Sequence, residues 1–143
     1  MLFVGGIYDV FTSEGIEKIK LVLNTAKVNG DGGDVPENDI EAILHAISAC
    51  SVCKNFIHIA DNQATPRDMI LLERVTKPVK VIICKSEGSI VVNPKLLDIA
   101  HRTGGSLHTL TSDVETLTNV KIGDIIRIGV GTYRLDPNGF VRI

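Results

Sequence analysis

Residues 79–84 read VKVIIC, an apolar run interrupted by one lysine, with Pro78 directly before it. The run has strand length rather than helix length, and Val79, Val81, Ile82 and Ile83 are β-branched. A nearly continuous apolar strand is what burial on both faces of a parallel sheet requires. Upstream, NFIHIA at 55–60 is a second β-rich run, followed by loop chemistry in DNQATPRD and a short helix in PRDMILLERV. Downstream, NPKLLDIAHRTGG predicts a helix with Asn93 as cap, Pro94 at its first position and Gly104 as its stop. SLHTL at 106–110 reads as one more strand, and SDVETLTNV at 112–120 as one more short helix.

The first third continues the same rhythm. LFVGGIYDVF at 2–11 reads as a strand weakened by Gly5 and Gly6. Ser13 is placed to cap a helix over 14–28, with Ile16, Ile19, Val22, Leu23, Ala26 and Val28 at near-helical spacing. A glycine-rich loop, NGDGGD, separates it from a helix over 35–50, where Ile40, Ile43, Leu44 and Ile47 form the stripe of a helix packed on a sheet. Strand alternating with helix predicts an α/β fold: a Rossmann-like, mostly parallel sheet flanked by helices. The tail, GDIIRIGVGTYRLDPNGFVRI at 123–143, breaks that rhythm. It reads as a small antiparallel β appendage of two or three strands turned by GVG and DPNG. Alternation places Arg127, Arg134 and Arg142 on one face of it, and Ile126, Ile128, Tyr133, Leu135, Val141 and Ile143 on the other. The expected organisation is one domain, with a core over 1–118 and the appendage over 119–143.

Bulk composition narrows the function classes. With 143 residues, 44% hydrophobic and 22% charged, the chain suits a single stable core without staples. A formal net charge of -2 offers no field for nucleic acid or an acidic membrane surface. No apolar run approaches the length of a membrane span, and MLFVGGIYDVF lacks the basic start and cleavage site of a signal peptide. Three cysteines suggest no pairing framework, so a reducing compartment, the cytoplasm, is the plain expectation.

Several motifs invite chemistry and are weaker than they look. CSVC at 50–53 falls at the end of a helix, the pole that disfavours thiolate, so buried structural cysteines are expected rather than a redox pair. Cys84 with His45 or His58 makes no recognisable zinc spacing. NGDGGD lacks the lysine and the preceding strand of a phosphate loop, and its aspartates would repel phosphate. His45, His58, His101 and His108 pair with no nucleophile by signature, and satisfied or surface histidines are expected. Asp34 with Glu37 forms a capping box at the start of the 35–50 helix. Asp61 directly follows a strand, at the end where open α/β sheets place ligands.

Taken in order, GGDVPENDIEAI, NFIHIADNQATPRD and VKVIICKSEGSIVVNPKLLDIAHRTGGSLHTL resemble von Willebrand factor A-like domains over roughly residues 20–110. The resemblance implies a protein-recognition module without catalysis, with Asp34 and Asp61 at the positions of a divalent-cation site. The D-x-S-x-S strand that opens such domains has no counterpart. The nearest stretch, DVFTS, has Phe11 between Asp9 and Ser13, and an aromatic ring cannot ligate a hard cation. The chain therefore looks like the C-terminal two-thirds of the family with its opening strand and helix absent. Any Mg or Mn is expected to bind weakly, because Asp34 and Asp61 leave most of the shell to water. In an incomplete sheet either residues 2–11 move into the vacant place or another chain supplies the pairing, as a homodimer or in an assembly role in which a partner completes it. A small metal-dependent hydrolase using Asp34, Asp61 and Asp68 is the remaining alternative, and it lacks a nucleophile with a positioned base.

Overall fold

The computed structural model describes residues 12–25, 37–84 and 91–143. The expected strand at 2–11, Asp9, Phe11, and the glycine loop with Asp31 and Asp34 lie outside the described residues. The chain divides into two compact units, Met1–Asp34 and Val35–Ile143.

In the first unit, helix α1 spans Ser13–Thr25. Its cap is Thr12 rather than Ser13: the Thr12 hydroxyl accepts from the Gly15 N–H at 3.0 Å. Lys18 with Glu14 and Lys20 with Glu17 form exposed pairs one turn apart on its surface.

The second unit is a mixed α/β body. Helix α2 (Asp39–Ala49) leads into strand β1 (Phe56–Ala60); a 3-10 helix at Met69–Arg74 connects to β2 (Val79–Ile83). Helix α3 (Pro94–Arg102) then leads to β3 (Ser106–His108) and the short β4 (Asp113–Val114). After a 3-10 turn at Leu117–Asn119, strands β5 (Ile125–Ile128), β6 (Gly131–Asp136) and β7 (Gly139–Arg142) form the tail. The first sheet runs β1-β2-β3-β4, parallel except for β4, and the tail is a separate antiparallel meander in the order β5-β6-β7. The α/β class and the β appendage expected from the sequence are both present. SDVETLTNV is not a helix: Asp113 and Val114 pair with His108 and Leu107, and only a single 3-10 turn follows.

VKVIIC is buried on one face, not two. Val79, Val81 and Ile83 are fully buried with Leu107, under Ile40 and Ile43 of α2 and Leu96, Leu97 and Ile99 of α3. On the opposite face Lys80 is exposed and Ile82 half-buried, and on β1 Ile57 and Ile59 are 64% and 53% exposed. The apolar run is thus longer than its burial demands.

Helix α3 is the centre of the unit. It packs on β2 and β3 and also against β7, which explains why five consecutive residues, Leu96 to Ala100, are buried. The meander turns its apolar face toward α3, but not with the expected set. The pairings Asp136↔Gly139, Leu135↔Phe140 and Tyr133↔Arg142 put Phe140 inside with Tyr133 and Leu135. Arg142 lies on that same face at its exposed end, whereas Val141 shares the outer face with Arg134 and Arg127. The register set at the hairpin turn decides this, because a shift of one residue exchanges the two faces of a strand.

Cys50 and Cys53 form a disulfide, with Cα atoms 5.4 Å apart where the chain turns off the end of α2. Both are half-buried and Cys84 is exposed, which corrects the expectation of buried, unpaired thiols. No helix among the described residues is long and apolar enough to cross a membrane.

Candidate functional site

Two places on the Val35–Ile143 unit bring polar side chains together, one in the loop after β1 and one along a face of β3. The first is at the carboxyl end of β1, where Asp61 follows the strand directly, as the sequence placed it. Among the described strands β1 is outermost rather than central. Asp61 is exposed and accepts the Gln63 N–H on Oδ1 at 2.9 Å, an Asx turn that starts the loop.

Asn62 then adopts a left-handed backbone, with φ of 66°. Such a conformation is sparsely populated for a residue with a Cβ, and here two hydrogen bonds hold it. Asn62 Nδ2 donates to the Val91 carbonyl at 2.7 Å, and its Oδ1 accepts from the Asn93 N–H at 2.6 Å. Asn93 in turn accepts from the Lys95 N–H to cap α3 and donates to Thr65 Oγ1. Asp61 therefore stands on a loop fastened to the start of α3.

Of the carboxylates expected beside Asp61, only Asp68 lies in the described residues, and it serves α2. Asp34 lies outside them. Helix α2 begins at Asp39, with Asn38 before it, so Glu37 is not in its first turn and the expected capping box does not form there. The cap comes from Asp68: its Oδ2 accepts from Glu41 N–H at 2.7 Å and its Oδ1 from Ile40 N–H at 3.3 Å. With both oxygens turned to the helix, Asp68 is a cap and not a free carboxylate. No group of three or more His, Cys, Asp or Glu side chains placed to hold a metal ion occurs among the described residues.

The second place is the face of the sheet that carries Lys80 and Ile82, from Ser106 at the start of β3 to His108 at its end. Ser106 and His108 are two residues apart on β3 and so share a face, and Asp113 faces His108 from β4. Ser106 Oγ lies 2.7 Å from His108 Nε2, and His108 Nδ1 lies 2.8 Å from Asp113 Oδ1. With the imidazole proton on Nδ1, held by the Asp113 carboxylate, Nε2 accepts the serine hydroxyl proton. Ser106 is 7% exposed and lines an open hollow of about 280 Å³ with Asn55, Lys80, Gly104, Gly105 and Glu115. Gly105 keeps this region tight, since a Cβ there would stand 1.8 Å from the Val79 carbonyl oxygen. The alternation of Ser106 and His108 was legible in SLH. The third member is hidden, because the helix expected over 112–120 absorbs Asp113.

The other histidines divide plainly. His58 is buried 3.5 Å from the equally buried Asp39, and its Nε2 makes no hydrogen bond. His101 Nε2 lies 3.1 Å from the Val120 carbonyl oxygen, and its ring meets Phe140 edge-on. His45 is exposed on α2.

Comparison with protein-family models, with curated proteins and with solved structures finds no match to this chain.

Proposed function

We propose that the chain is a von Willebrand factor A-like protein-recognition module that engages a protein partner at the carboxyl end of its parallel strands. The observation that carries this reading is the Asn62 clamp. Two hydrogen bonds fix the left-handed backbone at Asn62 and so present the exposed Asp61 on a loop of defined shape. A preordered loop loses less conformational entropy on binding, which favours recognition by a rigid surface. The order β1, β2, α3, β3, with an aspartate directly after β1, supports the family likeness.

A cation is not central to this reading. Asp61 has one oxygen committed to Gln63, and Asp68 is committed to α2. If Asp34 and Asp61 together hold Mg or Mn, water fills most of the shell, and calorimetry is expected to find affinity weaker than micromolar. The commitment of Asp68 also removes one carboxylate from the metal-dependent hydrolase alternative.

A second reading, an assembly subunit completed by another chain, is favoured by the exposed Ile57 and Ile59 on β1. Capture on the immobilised full chain, with and without chelator, tests the first. The recognition reading expects a captured protein that is lost with Asp61→Lys at unchanged melting temperature. Equal capture by both chains overturns it.

A further inference from the structure

We propose that Ser106, His108 and Asp113 constitute a nucleophilic site that takes the acyl group of small esters, distinct from the Asp61 loop. The geometry meets two requirements for an activated serine. The nucleophile is within hydrogen-bond reach of a base, at 2.7 Å, and the base is oriented by a third group, at 2.8 Å. The same three side-chain types in the same chain of contacts recur on unrelated folds, so the arrangement is recognised by roles rather than by sequence order.

Strand spacing and pairing bring the three side chains together, with Asp113 on the exposed side of the pair. Ser106 and His108 are successive residues on one face of β3, so their spacing is that of the strand itself. Asp113 sits in register with His108 across the β3–β4 pair. The turn between them is tied by Thr109, whose hydroxyl accepts from the Ser112 N–H at 2.9 Å and whose N–H donates to the Ser112 carbonyl at 2.8 Å. Backbone pairing thus sets imidazole and carboxylate opposite each other.

The hollow beside Ser106 sets the substrate class. An open hollow of about 280 Å³, at or below the lower end for small-molecule sites, has room for a short acyl chain. The N–H groups of Gly104 and Gly105 are taken by the His101 and Ala100 carbonyls, so they cannot receive an oxyanion. Lys80, on the same face and lining the same hollow, supplies the positive charge for that role.

Ser106 Oγ adds to the ester carbonyl carbon as its proton passes to His108 Nε2. Collapse breaks the bond to the leaving alkoxide, which departs as the alcohol with that proton. A water molecule, deprotonated by the same nitrogen, then cleaves the acyl–serine bond, releases the carboxylic acid and restores the hydroxyl. Asp113 acts through His108 as a positioning residue.

A fluorophosphonate probe reports the first step directly, because Oγ displaces fluoride from phosphorus and the adduct is stable. Incubation of the full chain with the probe, followed by peptide mass spectrometry, is expected to place one adduct on Ser106. Ser106→Ala abolishes it, and His108→Ala slows labelling by about 100-fold or more. His108→Gln serves if the alanine variant loses its fold. Asp113→Ala slows labelling at unchanged melting temperature, and Asp113→Glu recovers it in part. p-Nitrophenyl acetate is expected to turn over in the native chain and not in Ser106→Ala. A folded native chain that takes no label, or labelling that persists at the native rate in the His108 variants, overturns the proposal. The three residues are then only a tie between β3 and β4.

Discussion

The backbone N–H of Phe140 donates to the buried carboxylate of Asp98 at 2.7 Å, across 42 residues of sequence. The other oxygen of Asp98 accepts from Lys95 Nζ at 2.8 Å, one turn earlier on α3. Gly139 stands beside this contact with φ of +120°, and a Cβ there would approach Asp98 Oδ2 to 2.4 Å. A single carboxylate thus fastens the meander to the helix at the centre of the core.

Removing that fastening is expected to be expensive. Asp98→Ala leaves the Phe140 N–H buried without an acceptor, a loss of about 2–3 kcal/mol. Gly139→Ala is expected to cost about 1–3 kcal/mol through backbone conformation alone, with the clash at Asp98 added. Urea unfolding of both variants checks this. Stabilities within error of the native chain would mean that the meander is held by Phe140 and Tyr133 packing alone.

Asp68 is expected to carry the start of α2. Asp68→Ala removes the acceptor for the Ile40 and Glu41 N–H groups, at about 1–2 kcal/mol. Asp68→Asn retains an acceptor and recovers part of it. Equal unfolding midpoints for the native chain and Asp68→Ala would refute the assignment.

Tyr133 makes stability fall in alkali. Desolvation by burial raises its phenol above 10.0, against the opposing influence of the Val92 backbone and the Arg142 charge. A raised folded pKa means that this stability is complete below the unfolded pKa, near 10, and is lost as pH rises through the folded value. No partner in hydrogen-bonding geometry meets the hydroxyl, the nearby Val92 backbone included. Tyr133→Phe is therefore expected to hold its stability at neutral pH, or gain about 1 kcal/mol, and to resist the alkaline loss. Parallel losses in the two proteins between neutral and strongly alkaline pH would count against the burial of the phenol.

Self-association is expected at micromolar concentration, as a homodimer. Among the described strands β1 is outermost, and it carries Ile57 and Ile59 largely exposed. Closed two-fold symmetry is the commonest arrangement for such a surface. Sedimentation equilibrium should return a dimer for the native chain and a monomer for Ile57→Lys combined with Ile59→Lys. A native monomer would sink the prediction.

The features legible in the sequence were those written within a few neighbouring residues. β-branched runs marked β1 and β2, and Asn93 followed by Pro94 marked the start of α3, where the Asn93 side chain does cap at 3.0 Å. Period and capping chemistry act over one turn or a few alternations, so contiguous residues suffice to read them. The exposed placement of Asp61 after β1 belongs to the same class. What only the tertiary structure decided were choices of partner. Asp68 reaches α2 across 27 and 28 residues, Asn62 reaches Val91 and Asn93 across 29 and 31, and Asp98 reaches Phe140 across 42. The inner face of β7 and the meeting of Asp113 with His108 depended on strand register, which a hairpin turn and packing against α3 select. A carboxylate or a strand edge can satisfy itself with many equivalent donors, and only the packed core determines which of them comes within reach.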